Sequence, residues 1–212
     1  MHELVNPESE NFWLWNIRIW LCASGGTIIA VQPYQYAIIS IGWFLWGLPF
    51  LLIKRKSQAP TKLDRRARWG IILEGIAYAL VWQSKFWGRS PETWRVALSV
   101  TFFALAGLLS WNAARTLGNQ WRFDAGLNAD HKLVRNGAYS VVRHPIYTSM
   151  FCMLLGMGFM TAWLPMLLLA TIIFIIGTEI RVRIEDKLLA DRFGDEFLAY
   201  RQKVGAYIPF VK

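Results

Sequence analysis

Apolar runs that approach or reach the length of a bilayer crossing recur along this chain, and they leave few folds open to it. A helix needs about 20 mostly apolar residues to cross the hydrocarbon core. Inside that core every backbone N–H and C=O must find its partner within the protein, which favours helices. Residues 36–53, 70–87, 94–114, 146–162 and 165–177 are such runs. Trp69, Trp87, Trp94, Trp111 and Trp163 stand near their ends, where an interfacial aromatic belt belongs. Hydrophobic residues make up 55% of the 212 positions and charged ones only 17%, too few to clothe a soluble domain of this size. The expected fold class is all-α: a polytopic integral membrane helical bundle of five or six transmembrane helices with a cytoplasmic C-terminal amphipathic helix.

The formal net charge of +9 invites a nucleic-acid reading, but its distribution argues against one. Basic residues gather at 54–68, 115–143 and 181–212, each flanking an apolar run, without the interleaved aromatics of a single-strand binding surface. Lys/Arg-rich loops mark the cytoplasmic side and touch anionic headgroups. Cys22 and Cys152 both lie in apolar segments and suggest no disulfide framework. His2, His131 and His144 are too scattered for a metal site, so no metal is expected. The acidic start, residues 1–11, does not read as a cleavable signal.

The loop to Arg68 carries seven basic residues against one acid, so run 36–53 should end in the cytoplasm. Run 70–87 then leads outward, 88–92 is a short turn, and 94–114 returns. Within 70–87, Glu74 reads either as a functional acid or as a side chain snorkelling to the interface. Runs 146–162 and 165–177 are joined around Trp163-Leu164-Pro165, which predicts a tight antiparallel hairpin with a cytoplasmic tail from Thr178. Residues 12–31 have span length, weakened by Asn16, Arg18 and Gly25-Gly26. A sixth span, placing both termini in the cytoplasm, is preferred over an interfacial helix. In the tail, Ile180, Ile184, Leu188 and Phe193 repeat at helical spacing; Gly194 should end that helix and Asp195 cap the next. Glu179–Arg183 and Arg181–Glu185 are spaced for i,i+4 ion pairs. The chain divides into N-terminal membrane helices, 1–114, and a core of connector, hairpin and tail, 115–212.

Chemistry concentrates at Arg143-His144-Pro145-Ile146-Tyr147, where the polar stretch 115–142 gives way to an apolar run. Proline suits the first helical turn, and free amides beside Arg143 and His144 would favour an anionic group. A basic flank of a membrane helix is the plainer reading of these five residues. A tight hairpin changes the balance, because it brings Arg143, His144 and Tyr147 opposite Arg181, Glu185 and Asp186. Cations, acids and an aromatic ring then meet at one membrane surface, the makings of a small-molecule site.

The stretch Asn136-Gly137-Ala138-Tyr139-Ser140-Val141-Val142-Arg143-His144-Pro145-Ile146-Tyr147 resembles the G-x-Y-x-x-x-R-H-P-x-Y signature of isoprenylcysteine carboxyl methyltransferases. Looser versions occur in phospholipid N-methyltransferases. The tail, with Glu185-Asp186-Lys187-Leu188-Leu189 and Phe193-Gly194-Asp195-Glu196-Phe197-Leu198-Ala199-Tyr200, resembles the acidic pair and F-G-E-E-Y-x-x-Y of the same family; Ile208-Pro209-Phe210 has its ending. Asp186 in place of the commoner Glu, and Ala138, are the departures, and neither removes a charge. The resemblance implies S-adenosyl-L-methionine as methyl donor, bound on the cytoplasmic side. It implies that His131, Leu133, Val134, Gly137, Tyr139, His144 and Tyr147 line the cofactor pocket with Glu185 and Asp186. Arg143 and Arg181, with Glu185, would be the catalytic groups. The acceptor it implies is lipophilic, a small molecule or a prenylated acceptor, met among membrane lipids.

A carboxylate acceptor is ionised at neutral pH and needs only an orienting cation such as Arg143 or Arg181. An amine must first lose a proton, and Glu185 or His144 would then serve as base. Carboxyl O-methylation of an isoprenylcysteine-type acceptor is the first reading. Lipid N-methylation, a non-catalytic membrane binding protein and a small transporter are the others. The only G-x-G, Gly156-Met157-Gly158, lies in an apolar run and reads as close helix packing.

Overall fold

The computed structural model describes residues 33–53, 62–82, 91–118, 126–127 and 132–208. The proposed span 12–31, the tip of the 88–92 turn, Cys22, Trp87 and His131 lie outside the described residues. The elements are α1 (Pro33–Leu52), β1 (Lys62–Leu63), α2 (Ala67–Val81), α3 (Thr93–Leu117), β2 (Gly126–Leu127), a 3-10 turn (Gly137–Ser140), α4 (Pro145–Thr161), α5 (Leu164–Phe193) and α6 (Asp195–Lys203). The described part is helical apart from a two-residue antiparallel ladder pairing β1 with β2. Three of its helices, over Tyr34–Leu52, Thr93–Leu117 and Leu164–Phe193, are long and apolar enough to cross a membrane. This is an integral membrane protein. Trp69, Trp94, Trp111 and Trp163 are exposed, as an aromatic belt would be.

Helix α3 packs on α4, α2 on α5, and α1 on α3, while α4 and α5 form the hairpin. Phe103, Met153, Leu154, Met157 and Phe174 fill the centre, with Ala77, Ala106 and Ala170 between them. Hydrocarbon outside is as apolar as a leucine inside, so association here relies on close packing and interhelical hydrogen bonds. Gly156 supplies the first: a Cβ there would stand 2.8 Å from the Phe103 ring. Gly70 and Gly177 do the same for α2 and α5, where a Cβ on either would meet the other's carbonyl oxygen at 2.5 and 2.8 Å. Ser99 Oγ donates to Gly156 O at 2.7 Å and Thr161 Oγ1 to Val81 O at 2.7 Å. The Arg95 guanidinium donates to Phe159 O at 2.9 Å and to Ala162 O, satisfying carbonyls that the end of α4 would leave unpaired.

Two expectations are corrected. The run 165–177 and the tail from Thr178 are not separate elements, because α5 continues unbroken for 30 residues. At 1.5 Å per residue that is about 45 Å, against roughly 30 Å of hydrocarbon, so its last turns reach well past a bilayer core. Nothing between 166 and 193 breaks a helix except Gly177, and the close contact with Gly70 accounts for that glycine. Asp195 is not a cap either. Gly194, at φ 52°, is the junction residue of both α5 and α6, and Asp195 opens α6. A left-handed φ turns the chain in one step, and glycine adopts it without a Cβ clash.

Candidate functional site

The open end of the α4–α5 hairpin is assembled from the start of one helix, the extended end of the other, and a strap that follows α6. Pro145 sits in the first turn of α4, and His144 is the residue that caps it. The strap runs alongside: Val142 bridges Gly205 in parallel, Arg143 N donates to Gly205 O at 2.9 Å, and His144 N to Ala206 O at 2.8 Å. Thr148 Oγ1 donates to Tyr207 O at 2.7 Å. Helix α6 is held by the fully buried Phe197 and by Tyr200 Oη, which donates to Tyr139 O. Of the amides expected to be free after Pro145, two are taken. Tyr147 N and Thr148 N turn back to His144 O at 3.0 and 3.2 Å, and the strap takes the two amides before the proline.

The side chains then form one ladder of alternating charge. Asp186 accepts from Arg143 Nη2 at 2.8 Å and faces His144 Nε2 at 2.9 Å. Glu185 faces His144 Nδ1 at 3.3 Å with one oxygen and accepts from Tyr147 Oη with the other. The Arg181 guanidinium carbon lies 4.7 Å from the Tyr147 ring centroid, a cation–π distance. Arg181 Nη1 donates to Glu74 Oε2 at 2.8 Å, and Thr178 Oγ1 donates to Glu74 Oε1 at 3.1 Å. The other terminal nitrogen of Arg143, Nη1, reaches Val204 O and Arg201 O, tying the ladder to the strap.

Both ring nitrogens of His144 meet carboxylates, and only the imidazolium donates from both. Burial alone would push its pKa down. The hydrogen bonds and charges of Asp186 and Glu185 outweigh burial and raise it to about 9. Outside the ladder, burial raises the Tyr200 hydroxyl to about 12, so it remains a neutral donor.

The structure thus brings together Arg143, His144, Tyr147, Arg181, Glu185 and Asp186. Arg181 and Glu185, spaced for a pair along one helix, also make contacts across helices: Arg181 reaches Glu74, and Glu185 reaches Tyr147. Glu179–Arg183 pairs along the helix as expected, at 2.7 Å, with the arginine well exposed. Leu133 and Val134 lie half-buried on the approach segment. Gly137, at φ 59°, begins the 3-10 turn beneath Tyr139; a Cβ there would stand 2.7 Å from Asn112 Oδ1 and Thr116 Oγ1. Ala138 N donates to that same Asn112 oxygen at 2.6 Å. Thr178, Asn112 and Tyr207 join the site without having been read from the sequence, since no motif marks them. Glu74 had one signal, a carboxylate in an apolar run, and the structure removes the snorkelling alternative by burying it.

Residues 94–196 match the phospholipid methyltransferase family model. The chain is 38% identical to protein-S-isoprenylcysteine O-methyltransferase of Saccharomyces cerevisiae over 85 residues, 39% of this chain and 35% of that protein. It is 34% identical to the protein of the same name from Schizosaccharomyces pombe over 84 residues, 40% of this chain and 36% of that one. It is 29% identical to the nickel-cobalt-cadmium resistance protein NccN of Alcaligenes xylosoxydans xylosoxydans over 159 residues, 71% and 70% of the two chains. The matches thus cover about a third of each yeast relative's length. The residues matched by the family model take in the Arg143-His144-Pro145 junction, the hairpin and the Glu185-Asp186 pair. Over residues 94–196, just under half of its length, this membrane protein resembles the phospholipid methyltransferase family, and isoprenylcysteine O-methyltransferases are among the proteins it is similar to.

Proposed function

We propose that the protein is an S-adenosyl-L-methionine-dependent membrane methyltransferase acting on a lipophilic carboxylate of the isoprenylcysteine type. The observation that carries this reading is the convergence of Arg143, His144 and Tyr147 with Arg181, Glu185 and Asp186 at one end of the hairpin, inside the family segment. The residues present fit the donor. With His144 protonated the ladder holds three cations (Arg143, His144, Arg181) against three carboxylates (Glu74, Glu185, Asp186), and with His144 neutral it is one charge short. With its charges balanced, the ladder offers both signs to a ligand that itself carries ammonium, sulfonium and carboxylate groups. Arg143 Nε is also buried with no hydrogen-bond partner, which leaves a donor in reserve for a ligand carboxylate.

When bound, the donor would supply a methyl group already activated by its sulfonium. The chain's own residues then have to align and exclude water. Glu185 and Asp186 would hold cationic charge, with Tyr147 and Tyr139 beside them. His131, Leu133, Val134 and Gly137 would complete the pocket. Arg143 and Arg181 would orient the acceptor. His144 carries its proton at neutral pH and is poorly suited to take one from an ammonium. A carboxylate acceptor requires no such base, and this favours O-methylation over N-methylation.

The deciding experiment supplies purified protein with radiolabelled donor and three acceptors: a prenylated cysteine, phosphatidylethanolamine and a lipid thiol. Transfer to the carboxylate alone is expected. Transfer to the amine would replace this reading with lipid N-methylation, and donor binding without transfer to any of the three would leave a non-catalytic binder. The site is proposed to face the cytoplasm, so tags within 56–66 and after Lys212 should share one side and a tag at 88–92 the other.

A further inference from the structure

We propose that Glu74 is a positioning residue for Arg181, so that α2, which lies outside the segment matched by the family model, contributes to the acceptor side of the site. This rests on the methyltransferase reading above. A carboxylate and a guanidinium buried together in a membrane protein carry a desolvation cost, and such a pair is usually no more stabilising than well-packed apolar residues. Holding α2 against α5 does not explain the pair. That contact is already made by Gly70 and Gly177, whose backbones meet with no room for a Cβ on either.

What the pair does fix is the guanidinium. Glu74 Oε2 takes Arg181 Nη1 at 2.8 Å, and its other oxygen is held by Thr178 Oγ1 at 3.1 Å, so the carboxylate cannot swing away. Thr178 and Arg181 lie three residues apart on α5, and one carboxylate spans both. The guanidinium is thereby held 4.7 Å from the Tyr147 ring centroid, whose hydroxyl donates to Glu185. Glu74 also shares the charge of Arg181. An acceptor carboxylate therefore meets a cation whose direction is set and whose net field is small, which favours alignment over tight ground-state binding.

Two measurements on the purified full-length protein test this. The first follows the Arg181 Nη resonances in 15N-arginine-labelled protein, assigned with Arg181→Lys. Wild type should show a guanidinium with slow rotation about Cζ–Nε; Glu74→Gln should let it average. The second is kinetic. Glu74→Gln should lower acceptor kcat/KM by about tenfold or more with donor Kd within about threefold, and Glu74→Asp, one methylene short, should fall between. Combined with Arg181→Lys it should cause little further loss, because both changes act through one group. A guanidinium that stays slow in Glu74→Gln, or losses that multiply in full in the double variant, would overturn the proposal. Resonances that average as expected in a protein that transfers no methyl group would keep Glu74 as the positioner of Arg181 and refute the reaction instead.

Discussion

Raising the pH from 6.5 to 9 should destabilise this protein through one residue, His144. Its folded pKa, about 9, lies above the ordinary imidazole value because Asp186 and Glu185 hold both N–H groups. A group raised on folding binds its proton more tightly in the native state. Its contribution is full below the unfolded pKa of about 6.5 and disappears as pH rises through about 9. A shift of that size corresponds to about 3 kcal/mol at 1.36 kcal/mol per unit. For a chain of this length, 2–4 °C per kcal/mol predicts a loss of about 6–12 °C in Tm. The assay is thermal unfolding in detergent from pH 6 to 10, for wild type and for His144→Gln. Other groups titrate in both proteins, so the quantity read is the difference between the two curves. Wild type should fall across this window, while His144→Gln starts lower and stays nearly flat. Parallel curves would refute the double carboxylate clamp, and a wild-type curve that rises would mean that His144 is neutral in the folded protein.

Three further outcomes are expected. Gly177→Val places a branched side chain where even a Cβ meets Gly70 O at 2.8 Å; it should cost about 1–3 kcal/mol or more in detergent unfolding and disturb Arg181 one turn away. Truncation before Gly194 removes α6 and the strap that receives the Arg143 and His144 amides, so titration calorimetry should find donor binding lost while the α4–α5 hairpin still inserts. The two arginines should separate: Arg181→Lys should depress turnover with donor affinity nearly unchanged, whereas Arg143→Lys should weaken both, because Arg143 also holds Asp186 and the strap carbonyls. Equal effects of the two on donor affinity would contradict that division.

The sequence by itself determined the elements and the chemistry available to them. Apolar runs of spanning length permit little besides helices, because hydrocarbon offers no partner for a backbone amide. The hairpin was legible from Trp163-Leu164-Pro165, and the meeting of Arg143, His144 and Tyr147 with Arg181, Glu185 and Asp186 followed from it as geometry. Local signals misled where a longer-range contact outweighed them. Gly177 looked like the end of a span, yet its missing Cβ serves the approach of α2, and α5 runs on through it. Just before Pro145, the strap more than 50 residues further on takes the amides of Arg143 and His144, a pairing that no local signal announced. Only the tertiary structure decided who pairs with whom. Arg181 has an acid four residues away on its own helix and also reaches across to Glu74. A buried charge takes whichever partner the packing sets at hydrogen-bonding distance. That distance is fixed by two glycines on different helices, which no one-dimensional pattern records.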